Sequence, residues 1–186
     1  MKTTTLTTVV SAEVLRFHLK SLSPGMLQNP GNDPDFLDIV LRQKQQSQKR
    51  TAWTVQEEAG TKLYRSEKLS DGSITKMGFP TQNLIACLVG AGRYVKSGKL
   101  QISTAKSTTL FEFLDFPEDF CVFKDIDKDG NIPWKGFLAK GNLDSGGKKV
   151  AVAITRPRIP HWETSFTVRL DTKRGISRDT VVALVE

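Results

Sequence analysis

The chain has 186 residues, 38% of them hydrophobic and 25% charged, which suits one domain with a real core, or one domain carrying an inserted lobe. No apolar run approaches the roughly 20 residues that span a bilayer, and no apolar signal core follows Lys2, so a cytoplasmic protein with no membrane partner is expected. The formal net charge of +7 favours a polyanionic partner without specifying one.

Taken in order, threonines with Val9, Val10, Val14, Leu15 and Phe17 predict a strand over 3–20, bent near Ser11. Pro24, Pro30 and Pro34 then interrupt regular structure, and Asp33 or Asp35 caps a short predicted helix carrying Phe36 to Leu41. Arg42, Lys44, Lys49 and Arg50 follow with no acid and no apolar anchor. That segment reads as a solvated helix tail or as a mobile basic arm able to close over a polyanion. A helix is predicted over 55–66, with Glu57 and Glu58 near its start to suit the helix dipole. Asp71-Gly72 predicts a turn.

The centre of the chain is its most apolar helical pattern. Pro80 suits a first helical turn, and Leu84, Cys87, Leu88 and Ala91 recur at helical spacing, with Ile85 and Val89 beside them. Such a helix should be buried around most of its circumference and end near Gly90 to Gly92. Strands are predicted over 100–102, 110–114 and 120–123, then a polar turn at 125–131, a strand at Phe137-Leu138, a loop over 141–147 and a strand over 150–154. Arg156-Pro157-Arg158-Ile159-Pro160 is extended, and its prolines argue against the middle of a sheet. From Trp162 to Leu170 apolar and polar residues alternate. Ser177 caps a predicted terminal helix. The order describes an α+β domain: an antiparallel sheet with helices on one face, an inserted lobe or mobile arm at 24–50, and a hairpin-rich insertion at 100–149.

The charges are segregated. No acid lies between Lys76 and Phe111; Glu112 to Gly130 is acidic; Lys140 to Arg158 is basic again. Asp125, Asp127 and Asp129 with Gly130 resemble the opening of a calcium loop, but Gly136 stands where the bidentate glutamate belongs, so an acidic turn is the better reading and no metal or cofactor is expected. His18 and His161 have no neighbours at ligand spacing, and no serine sits in a glycine-flanked nucleophile turn, so the reading is a non-enzyme. Cys87 and Cys121 lie far apart and read as buried, reduced thiols. Arg156, Arg158, His161 and Trp162 offer phosphate contacts and stacking rings, although alternation would send Trp162 into the core.

Two blocks carry a resemblance. One runs from Asp71-Gly72 through Gly78-Phe79-Pro80-Thr81-Gln82-Asn83-Leu84 to Gly92-Arg93; the other from Arg156-Pro157-Arg158 through Trp162 and Phe166–Leu170 to Ile176-Ser177 and the terminal helix. Together they resemble phage and prophage proteins related to the RAMP superfamily, the RNA-binding backbone subunits of CRISPR effector complexes. The resemblance implies a modified ferredoxin-like (RRM-like) core with inserted lobes. It also implies sequence-independent binding of a single-stranded RNA or DNA backbone by subunits stacked side by side. Arg93, Lys96, Arg156 and Arg158 are the basic positions it carries over; charge adds Arg42, Lys44, Lys49, Arg50 and Lys99, with His161 as a stacking candidate. A ferredoxin-like core needs a strand after its second helix, followed in that superfamily by a Gly-rich loop, and this sequence reaches Glu186 at that helix. A truncated form, a strand supplied by a neighbour and a different fold are the three expectations. The rival readings are a phage structural or interaction protein that self-assembles or inhibits a host defence component, and a binder of small anionic nucleotides.

Overall fold

The computed structural model describes residues 12–22, 25–28, 54–66, 74–145 and 147–186. The strand residues expected before Ala12, the helix near 36–41, the basic arm with Arg42, Lys44, Lys49 and Arg50, and the Asp71-Gly72 turn lie outside the described residues. In chain order the elements are β1 (Ala12–Lys20), β2 (Met26–Leu27), α1 (Val55–Gly60), β3 (Gly78–Pro80), α2 (Thr81–Ala91), β4 (Lys96–Ser97), β5 (Leu100–Gln101) and α3 (Leu110–Phe113). They continue with β6 (Leu114–Asp115), β7 (Phe120–Val122), β8 (Lys135–Ser145), β9 (Lys148–Ile159), β10 (Glu163–Asp171), a 3-10 turn (Thr172–Arg174) and α4 (Arg178–Val185). The protein is α+β, with strands ordered β1-β10-β6, β2-β9-β8, β3-β7 and β4-β5, antiparallel wherever the register is defined. The chain divides into two compact units. One holds the chain to Phe17 with 80–119 and 166–186, the other 18–79 and 120–165.

In the first unit the strand alternation behaves as the sequence suggests. Phe166, Val168 and Leu170 of β10 are buried, and Phe17 of β1 stacks on Phe166 with ring centroids 5.3 Å apart. Helix α2 buries Thr81, Leu84 and Leu88, one stripe at helical spacing, while Cys87 is exposed. The expectation of burial around most of the helix is therefore corrected: Cys87 lies off the stripe and is a solvent-facing thiol, whereas Cys121 is buried. Pro80 is the residue before the helix, not in its first turn, and belongs to β3. Helix α4 packs against α2 and is capped as expected, Ser177 Oγ accepting from the Thr180 N–H at 3.2 Å. The strand expected over 110–114 is a correction too. Leu110 and Phe113 are buried while Phe111 and Glu112 face solvent, a one-turn helical spacing, and the Thr108 hydroxyl accepts from the Leu110 N–H at its start.

In the second unit α1 carries a capping box. The Thr54 hydroxyl accepts from the Glu57 N–H, and Glu57 Oε2 accepts from the Thr54 N–H at 2.9 Å, which holds the Glu57 carboxyl below its ordinary range. The helix stops at Gly60, shorter than the 55–66 expected. One turn on, Lys62 donates to Glu58 Oε1 at 2.8 Å and to the Thr155 carbonyl at 3.0 Å, so the helix end is tied to β9. The Lys62 ammonium holds the Glu58 carboxyl below its usual 4.5. A depressed folded-state value stabilises above the unfolded one, so this contribution is complete above about pH 4.5 and is lost as pH falls through the lowered value. Glu58→Gln should flatten the acid limb of the stability profile, measured as urea midpoint against pH; an unchanged limb would remove Glu58 from it.

The largest departure from expectation is the hairpin β8–β9, paired from Lys135↔Arg158 to Ser145↔Lys148. It runs through the loop expected at 141–147. It also takes Arg156-Pro157-Arg158 into the central strand of β2-β9-β8. Pro157 is tolerated there for a local reason. Its carbonyl faces β2 and accepts from the Gln28 N–H at 3.2 Å, so its missing N–H faces the same way, just where the two-residue strand β2 has ended.

Candidate nucleic-acid interface

The register of β2-β9-β8 sorts its side chains onto two faces. Gly136, Thr155 and Pro157 face α1: a Cβ on Gly136 would come 2.8 Å from the Val55 carbonyl, and Lys62 reaches Thr155 Oγ1 at 2.8 Å. The opposite face carries Leu27, Lys135, Phe137, Ala139, Ile154, Arg156 and Arg158, because Leu27 pairs with Arg158, Lys135 with Arg158, Phe137 with Arg156 and Ala139 with Ile154. These seven positions hold three cations and no acid. The Arg158 guanidinium carbon lies 5.9 Å from the Phe137 ring centroid, diagonally across the pair, and Arg156 stands directly opposite the ring. Phe137 is 38% exposed and Leu27 46%. The result is a ring beside the Arg158 guanidinium, with Arg156 its register partner, on the face of the sheet opposite α1.

Two of the sequence candidates, Arg156 and Arg158, are therefore brought together, with Lys135 and Phe137 as partners that sequence reasoning missed. The missed signal was a period of two: Lys135-x-Phe137 against Arg156-x-Arg158. His161 lies in the turn after β9 and is exposed. Trp162 is half-buried in an aromatic cluster at the edge of the core, its ring 5.9 Å from those of the buried Phe79 and Phe123. Arg93, Lys96 and Lys99 are exposed in the other unit, after α2 and on the β4–β5 hairpin. The solvent face of β1 and β10 carries ion pairs. Lys20 and His18 meet Glu163 at 2.9 and 3.2 Å, and Arg169 meets Asp115 at 3.4 Å. The Lys20 hydrogen bond lowers the Glu163 carboxyl, so that ion pair is made rather than available.

The acidic turn is self-satisfied. Asp127 Oδ1 accepts from the Asp129 and Asn131 N–H groups, each at 2.9 Å, which closes an Asx-type turn. Among the described residues no three histidine, cysteine or carboxylate side chains gather as a metal site, so Asp125, Asp127 and Asp129 form none there. Also among those residues, no helix is long and apolar enough to cross a membrane.

Fold and site thus define an α+β protein with a basic and aromatic sheet face on which Leu27, Lys135 and Phe137 are exposed and Arg156 and Arg158 half-buried. Comparison with protein-family models, with curated proteins and with solved structures gives no match.

Proposed function

We propose that this chain binds single-stranded nucleic acid, RNA in preference, largely independently of sequence, through the face of β2-β9-β8 opposite α1. The observation that carries the reading is the exposed Phe137 ring with the Arg158 guanidinium carbon 5.9 Å from its centroid, Arg156 as its register partner and Lys135 two residues before it. A half-exposed ring gives any base a stacking platform, and the cations beside it suit the flanking phosphates. A duplex would bury its bases away from such a ring, which is why a single strand is the fitting partner. No reaction chemistry is invoked; the role is binding.

For the fold, we read β1-β10-β6 as three strands of a modified ferredoxin-like core related to the RAMP superfamily. Helix α2 comes after β1 and α4 after β10, and β10 sits between the other two strands, the order such a core needs for its first three strands. On this reading the segments between β1 and α2, and between β6 and β10, are insertions, and they supply the second unit.

The test is anisotropy of labelled oligouridine with the full chain. Phe137→Ala should weaken binding by roughly 5- to 150-fold, the equivalent of about 1–3 kcal/mol for one stacked base. Lys135→Ala with Arg156→Ala should lower the salt slope by about 0.7 for each phosphate contact removed. Affinity and slope that ignore all three substitutions would overturn the assignment of this face.

A further inference from the structure

We infer that the turn leaving α2, residues 92–103, is a second strand-binding patch in its own right, with Tyr94 as the stacking residue. This rests on the nucleic-acid reading above but not on the β2-β9-β8 face, which belongs to the other unit. The backbone of the turn is fixed from two sides. The Gly92 N–H donates to the Leu88 carbonyl at 2.8 Å and the Tyr94 N–H to the Ala91 carbonyl at 2.8 Å. From the other strand Gln101 Nε2 donates to the Arg93 carbonyl at 2.7 Å, the Ile102 N–H to the Val95 carbonyl at 3.1 Å, and the Ser103 N–H to the Gly92 carbonyl at 2.9 Å. Ile102 and Ser103 are buried, and a Cβ on Gly92 would come 2.6 Å from Ser103 Oγ, so the two segments are in close contact.

Against that fixed frame the Tyr94 side chain is left 87% exposed. Arg93 precedes it, Lys96 follows on β4, and Lys99 lies at the hairpin turn opened by Gly98 at φ 62°. No acid occurs in the sequence between Lys76 and Phe111. The backbone that carries the ring is already ordered when a base stacks on it, and three neighbouring cations suit the phosphates on either side. Leu100, 77% exposed beside Lys99, is the one feature that would suit a lipid surface better than a nucleic acid.

The experiment titrates labelled oligouridine into the full chain and into Tyr94→Ala, Tyr94→Phe and Lys96→Ala/Lys99→Ala. Tyr94→Ala should weaken binding about tenfold while Tyr94→Phe retains it. The lysine pair should lower the salt slope by roughly 1.4, at about 0.7 per phosphate. If Phe137→Ala weakens binding and Tyr94→Ala does not, the second patch is overturned and the first stands. If the unmodified chain binds no oligouridine, the nucleic-acid reading itself falls and takes this one with it. Retention on phosphatidylserine vesicles that is lost in Tyr94→Ala, with oligouridine binding indifferent to Tyr94, overturns the patch in favour of a lipid surface.

Discussion

Gln28→Leu is expected to lower stability by about 3–5 kcal/mol, because it leaves two backbone groups without partners at little change in volume. Gln28 is 2% exposed. Its Nε2 donates to the Gly78 carbonyl at 2.7 Å, its Oε1 accepts from the Tyr64 N–H at 2.8 Å, and its own N–H reaches the Pro157 carbonyl. One side chain therefore joins the segments at 64 and 78, next to the strand that carries Arg156 and Arg158. A leucine fills the space but neither donates nor accepts, so the full desolvation of both groups is felt. Against a total stability on the order of 5–15 kcal/mol this is a large fraction. Urea unfolding followed by tryptophan fluorescence measures it. A loss below about 1 kcal/mol, the net value of an ordinary hydrogen bond, would mean that the two backbone groups find other partners.

Some of this was legible in the sequence, and the reasons differ by element. The burial of Phe166, Val168 and Leu170 followed from strict alternation, and the Ser177 cap and the end of α2 at Gly92 from local chemistry. These are signals read within a few residues. The hairpin β8–β9 was legible only in part: strands at Phe137-Leu138 and 150–154 lie within it, but its full length and register come from the pairing of the two strands. Gly141-Asn142 reads as a loop until its partners Val152 and Ala151 are known. For the same reason Phe137 looked like an ordinary strand residue: only the register sets it opposite Arg156. The buried role of Gln28 had no signal either, since a polar side chain in a proline- and glycine-rich stretch reads as surface. The 110–114 segment failed differently. Four apolar residues in five fit a strand as well as a helix, and the Thr108 hydroxyl at the Leu110 N–H marks the helical start.

Trp162 and Phe137 give the contrast that separates core from site. Both are aromatic residues near arginines, Trp162 along the chain and Phe137 across the register. Trp162 meets Phe79 edge-on at an interplanar angle of 79° and Phe123 at 41°, in a cluster whose third pair, Phe79–Phe123, is also 5.9 Å apart. Removing the indole leaves a cavity that two rings cannot close. Trp162→Ala should therefore cost about 3–5 kcal/mol, while the fraction that remains folded binds oligouridine as the unmodified chain does. Phe137→Ala should divide its effect differently: the ring is 38% exposed, so its loss costs stability about 1–2 kcal/mol, less than Trp162→Ala, while affinity falls. Thermal unfolding and anisotropy on the same two variants decide it. Trp162→Ala that stays stable and loses binding would move the stacking role from the sheet face to the turn after β9.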